Sequence, residues 1–152
     1  MKTEKKIRGK NMEKIQAAKL IDNAILPTRK HPDDAGMDFY AAEEIEIPAH
    51  DFGTVRTGIT VSIPAGYVGL MMPKSRNDHL LGAGVVDAGY QGEIMIKIAN
   101  IKEKPMRITA GTAIAQMILL PIVTPAIEEA DADTIHAVKS ERGATGGILE
   151  GK

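Results

Sequence analysis

Between residues 15 and 121 the chain is cut into short runs of alternating apolar and polar residues, most of them closed by proline or glycine. Ile59, Val61 and Ile63 alternate with Thr60 and Ser62 before Pro64-Ala65-Gly66 supplies a turn. Val68, Leu70 and Met72 repeat the alternation until Pro73 stops it, and Ile94, Ile96 and Ile98 alternate with Met95, Lys97 and Ala99. A period of two sends successive side chains to opposite faces of a strand. Residues 44–48 and 104–108 each carry a proline, which a sheet tolerates at its edge and not in its middle, so both read as edge strands. Residues 112–120 are apolar on both faces, the pattern of a strand buried between sheets, with Gln116 sharing the face of Ile114 and Ile118. Many short strands with turn signals at close intervals predict an all-β sandwich or barrel. Helical spacing is thin: residues 75–81 have room for one or two turns, and residues 126–138 form a poorly capped stretch.

With 152 residues the chain is one domain, enough to bury roughly 68–70% of its unfolded surface. The domain is expected over residues 15–140, preceded by a flexible basic tail, residues 1–14, whose first ten residues set Lys2, Lys5, Lys6, Arg8 and Lys10 against Glu4. Residues 141–152 are glycine-rich with little to pack, and read as a C-terminal arm. A formal charge of -1 gives no overall basic field, so no nucleic-acid partner is implied. The absence of cysteine excludes a disulfide framework, a thiol nucleophile and a Cys-based zinc site. No apolar run approaches the roughly 20 residues that span a bilayer, and residues 1–11 lack the apolar segment of a signal peptide. A cytoplasmic protein without a membrane partner is the expectation.

The chemistry concentrates in Gly84-Val85-Val86-Asp87-Ala88-Gly89-Tyr90-Gln91-Gly92-Glu93, where a β-branched pair delivers a carboxylate to a turn and a ring follows three residues later. A water attacking a phosphate ester needs a base within hydrogen-bond reach that is ionised at neutral pH. Asp87 on a strand-held loop suits that task, although an Asp in a turn also serves simply by accepting amide hydrogen bonds. A second carboxylate, Asp38, opens a strand after the small residues Ala35-Gly36-Met37. Pro73-Lys74-Ser75-Arg76 offers a cation, a hydroxyl and free amides, the ingredients of a phosphate cradle, or equally a Ser N-cap with surface charges. Other nucleotide signatures are missing: Gly82-Ala83-Gly84 lacks the third glycine of a dinucleotide loop, and no Gly-Lys-Ser/Thr occurs. His31, His50, His79 and His136 are dispersed without i,i+4 pairing, so they do not read as zinc ligands.

These segments, together with Gly111-Thr112-Ala113-Ile114-Ala115-Gln116-Met117, resemble the five motifs of the trimeric dUTPases, which hydrolyse dUTP to dUMP and pyrophosphate. The resemblance spans about residues 15–147. It implies a jelly-roll-like fold, a homotrimer with active sites shared between subunits, and Mg²⁺ carried with the triphosphate. By that likeness Asp87 activates the water, and Tyr90 packs against the deoxyribose, leaving no room for a 2′-hydroxyl. The backbone around Ala83, Gly84 and Val85 reads the uracil edge. Lys74, Ser75 and Arg76 receive the phosphates with Gln116, and Asp38 orders waters around Mg²⁺. Arg142 reaches the terminal phosphate from the arm, and Ile148 stands where the family has the ring that stacks on uracil. The chain departs from the family's usual pattern in having Lys74 for an arginine, Arg76 for a small residue, Ala113 for an arginine, and an arm without Ser-Thr. Two other readings share these residues: a relative that binds dUTP with little hydrolysis, and a dCTP deaminase of the same superfamily.

Overall fold

In a computed structural model the described residues are 14–77, 80–81, 84–136, 138, 140, 141 and 143, the side chains of Leu80 and Leu81 excepted. Most of the basic tail, and Ala83, Arg142 and Ile148 of the expected site, lie outside them. The described residues hold eleven strands and no helix. In chain order these are β1 (Gln16–Lys19), β2 (Met37–Tyr40), β3 (Ile45–Ile47), β4 (Phe52–Arg56), β5 (Ile59–Ser62), β6 (Tyr67–Met72), β7 (Leu80–Leu81), β8 (Gly84–Val86), β9 (Met95–Ala99), β10 (Met106–Ile108) and β11 (Ala113–Pro121).

They form four small sheets: β1-β5, β10-β3, β2-β11-β6-β8 and β4-β9-β7, with every pairing antiparallel. Neighbours in a sheet are rarely neighbours in sequence, the mark of the jelly-roll arrangement, and the all-β expectation holds. The strands over 59–62, 95–99, 45–47 and 106–108 fall where the alternation and the prolines put them, and β3 and β10 pair only with each other. Their inward residues meet in one core, in which Phe39, Ile47, Val55, Ile59, Ile96, Ile98, Ile114 and Met117 are almost completely buried.

Two local expectations fail. Residues 75–77 are not helical: hydrogen bonding from Asn77 N to Lys74 O at 3.1 Å closes a turn, and β7 begins at Leu80. Residues 126–136 contain only a short turn near Asp131 and lie exposed, since few of their apolar side chains find a surface within the protomer to cover them. In β6 the buried residues are Gly69 and Met71, while Val68, Leu70 and Met72 point to the opposite, half-covered face.

That opposite face is the fold's most informative surface. Register places Val85 and Ile118 either side of Leu70, and Leu120 beside Val68, so one side of the four-stranded sheet carries an apolar stripe. Leu120 is 41% and Val85 66% exposed. The strand expected to lie buried between sheets, β11, is thus covered on one face only within the protomer.

Candidate active site

β2, β11 and the end of β6 run side by side, and this adjacency assembles the phosphate-type residues. Asp38 lies opposite Gln116 on β11, and Gln116 lies opposite Met72 on β6, directly before Pro73 and the turn carrying Lys74 and Ser75. A register shift between Ala113 and Ala115 inserts Ile114 as an extra residue. The bulge corrects the simple alternation: Ile114 turns into the core, fully buried, and Gln116 is left on the outer face beside Asp38.

These residues line a cleft of about 600 Å³ whose walls include Gly36, Asp38, Lys74, Ser75, Arg76 and Gln116. Lys74 Nζ reaches Asp38 Oδ1 at 2.6 Å across it, so Asp38 serves as a partner for a cation and not as the cap of an Asx turn. The Gln116 amide donates from Nε2 to the Pro73 carbonyl at 2.9 Å, which satisfies it and fixes the entry to the turn. Its Oε1 lies against Gly36, where an added Cβ would stand 2.1 Å away, so only glycine permits this approach. Asn77 clamps the other end, donating from Nδ2 to the carbonyls of Ala113 at 3.2 Å and Ile114 at 3.4 Å. Neither the closeness of Gly36 nor the clamp of Asn77 has a signal in the one-dimensional pattern, because both depend on the bulged strand.

Ser75 heads a turn and not a helix, so the cradle has no helix N-terminus to draw on. Its positive character comes from side chains: Lys30, Lys74 and Arg76 face Asp34 and Asp38 around the cleft. Among the described residues no three or more His, Cys, Asp or Glu gather as a metal cluster. Asp38, with the Gln116 amide and the Ser75 hydroxyl in the same cleft, would suit Mg²⁺, which keeps waters and arrives with phosphates.

The second group of expected residues occupies a separate place. Val85 and Tyr90 line a pocket of about 410 Å³ with Gly84, Val86, Glu93, Met95 and Lys97, and this pocket shares no lining residue with the cleft. Asp87 follows Val86 at the strand end and is exposed; its carbonyl accepts the Tyr90 amide at 3.0 Å, closing a turn. The Tyr90 hydroxyl donates to the Glu93 carbonyl at 2.7 Å. Glu93 itself is held by the Gly58 amide at 2.8 Å and the Arg56 guanidinium at 3.1 Å. That hydrogen bond and the charge of Glu93 raise the Arg56 guanidinium above its ordinary pKa. A raised basic pKa means the guanidinium keeps its charge, and its attraction to ionised Glu93, at every pH below that value and loses it only far above any working pH.

The dUTPase family model matches residues 22–146. Among curated relatives, the deoxyuridine 5'-triphosphate nucleotidohydrolase of Yarrowia lipolytica is 38% identical over 136 residues, covering 87% of this chain and 85% of its own. That of Gloeothece citriformis is 34% identical over 139 residues, covering 88% and 93%. Among solved structures, the Staphylococcus bacteriophage 80alpha dUTPase with dUPNHPP aligns with a TM-score of 0.80 at 29% identity, over 92% of this chain and 99% of that one. A dUTPase variant from phage phi11 of S. aureus, described for its coordination of a structural Mg(II) ion, aligns with a TM-score of 0.73 at 28% identity, over 78% and 97%.

Proposed function

The chain belongs to the dUTPase family and hydrolyses dUTP to dUMP; from that premise we propose that Asp87 directs the attacking water and that each active site is shared between copies of the chain. The observation that carries this reading is the separation of the two half-sites. The phosphate cleft around Lys74 and the pocket beside Tyr90 are distinct in one protomer, and each lacks what the other provides. A second copy is the natural source of the missing half. The apolar stripe of Leu70, Val85, Ile118 and Leu120 supports such an assembly, since a surface of this kind is commonly an interface. We take the assembly to be a homotrimer, in keeping with the family resemblance.

In this account the triphosphate enters the cleft, and its oxygens replace Asp38 as the partner of Lys74. Ser75 and the amides of the turn donate to phosphate, and Gln116 holds the turn in place. Tyr90 and the backbone of Gly84 and Val85 receive the deoxyribose and uracil, with Ala83 completing the hairpin edge. Arg142, with Ile148 beyond it, approaches from the arm. Water oxygen attacks the α-phosphorus, the bond to the bridging oxygen breaks, and pyrophosphate leaves. The water's proton passes to the Asp87 carboxylate and then to solvent. Mg²⁺, when bound with the nucleotide, neutralises phosphate charge, and Asp38 would hold it through water. We place the protein in the cytoplasm on the same footing, since a chain without cysteine needs no oxidising compartment.

Pyrophosphate release measured in parallel with dUTP, dTTP, dCTP and UTP tests the substrate assignment. Strong preference for dUTP is expected, and equal turnover of dTTP or UTP would refute it.

A further inference from the structure

Tyr90 owes its position to the two residues after its neighbour Gln91, and neither has a part in the reaction as described above. The ring folds back over its own turn, so that a Cβ added to Gly92 would lie 2.5 Å from the Tyr90 hydroxyl oxygen and 2.7 Å from Cζ. Real Cβ atoms do not approach so closely, and the obstacle is an aromatic ring tethered at its far end, not a free side-chain tip. Backbone strain does not explain the glycine: the described glycines of positive φ are Gly58, Gly66, Gly111 and Gly143. The tether is the hydrogen bond from the Tyr90 hydroxyl to the Glu93 carbonyl, at 2.7 Å.

That carbonyl is itself immobilised. The Glu93 side chain is only 10% exposed and takes hydrogen bonds from Arg56 on β4 and from the Gly58 amide. One residue on, the Ile94 amide donates to the Ile59 carbonyl at 2.8 Å. The phenol is therefore fastened, through Glu93, to the β4–β5 corner, while Tyr90 remains 45% exposed and lines the pocket.

We propose that Gly92 and Glu93 are specificity-determining positioning residues: the space over Gly92 and the Glu93 carbonyl fix the height of the Tyr90 ring, and that height decides whether a 2′-hydroxyl fits. This rests on the reading that Tyr90 packs against the deoxyribose. Displacing the ring from its tethered seat against the sugar opens clearance for one oxygen atom, which is the difference between dUTP and UTP. Selectivity, more than turnover of dUTP, is the quantity that responds.

The test is the ratio of kcat/KM for dUTP over UTP in the full chain, for wild type, Gly92→Ala, Tyr90→Ala, the double variant and Tyr90→Phe. Gly92→Ala is expected to lower the ratio by about tenfold or more, with no further fall when it is added to Tyr90→Ala, where there is no ring left to displace. A wild-type ratio in Gly92→Ala, or an equal loss repeated in the Tyr90→Ala background, overturns the proposal. Tyr90→Phe adds no bulk and removes only the tether, so it decides the matter should Gly92→Ala fail to fold. A several-fold fall in its ratio is expected, and an unchanged ratio refutes the tether. An unchanged ratio in Tyr90→Ala would instead bring down the underlying reading of Tyr90.

Discussion

Lys74 and Asp38 form an ion pair at 2.6 Å across the mouth of the phosphate cleft, joining the turn after β6 to the second strand. Both side chains are partly covered, 22% and 25% exposed, so the pair is neither a fully solvated surface contact nor a buried one. In the proposed mechanism this pair would be exchanged, incoming phosphate taking the ammonium and freeing the carboxylate to hold hydrated metal.

Lys74→Met therefore removes a cation and leaves Asp38 facing the phosphates uncompensated. Charge-assisted hydrogen bonds are worth about 1.5–3 kcal/mol, so kcat/KM for dUTP should fall roughly 10- to 100-fold, mainly through KM. Lys74→Arg keeps the charge and should stay within about tenfold of wild type. Steady-state kinetics decide it, and an unchanged KM in Lys74→Met would remove the lysine from phosphate binding.

Gly36→Ala probes the cleft from the other wall. The new methyl would meet Gln116 Oε1 and force that side chain off the Pro73 carbonyl. Activity should fall about as far as in Gln116→Ala, and the double variant should lose little more than either single one. Additive losses would show that Gly36 acts independently of Gln116.

Asn100 provides a contrast in which stability responds and chemistry does not. It is 1% exposed; its amide donates to the carbonyls of Ile47, Pro48 and Lys104, and its oxygen accepts from the Lys102 amide. Asn100→Ala strands these buried groups and should cost about 2–4 kcal/mol in urea unfolding, with kcat and KM retained wherever the protein is folded. A loss below about 0.5 kcal/mol would mean water replaces the side chain without penalty.

Sharing of the site predicts complementation. Assayed at dUTP far below the KM of Lys74→Met, where each variant alone is slow, Asp87→Asn and Lys74→Met should regain roughly a quarter of the wild-type rate when subunits mix at random in equal amounts, because one site in four then draws both intact residues. Mixed and refolded protein should run as a trimer by light scattering. No recovery in proven hybrids would put Asp87 and Lys74 of a working site on the same chain.

Much of this was legible in the sequence, for reasons that can be stated. The alternation of Ile94, Ile96 and Ile98 survives because β9 is regular and its partner β4 covers one side. Asp38, Lys74, Ser75 and Gln116, which come from separate sequence motifs, line one cleft. What failed was what neighbours decide. The alternation of Val68, Leu70 and Met72 does not say which face is inward: the core takes Gly69 and Met71, and Gly69 leaves room for the sulfur of Met117. Gln116 could not be assigned its face until the bulge at Ile114 was known. Residues 75–81 had room for a helical turn or two, but residues 75–77 follow Pro73 into a turn that Asn77 ties to β11. Glu93 gave no local sign of its role, since its partners Arg56 and Gly58 are more than thirty residues away.

The most direct test concerns the exposed carboxylate between Val86 and Tyr90. Asp87→Asn should fold, bind the non-hydrolysable analogue dUPNHPP with near wild-type affinity, and release pyrophosphate from dUTP at least about a hundredfold more slowly, as expected for loss of a general base. Turnover equal to wild type in that variant would contradict the account.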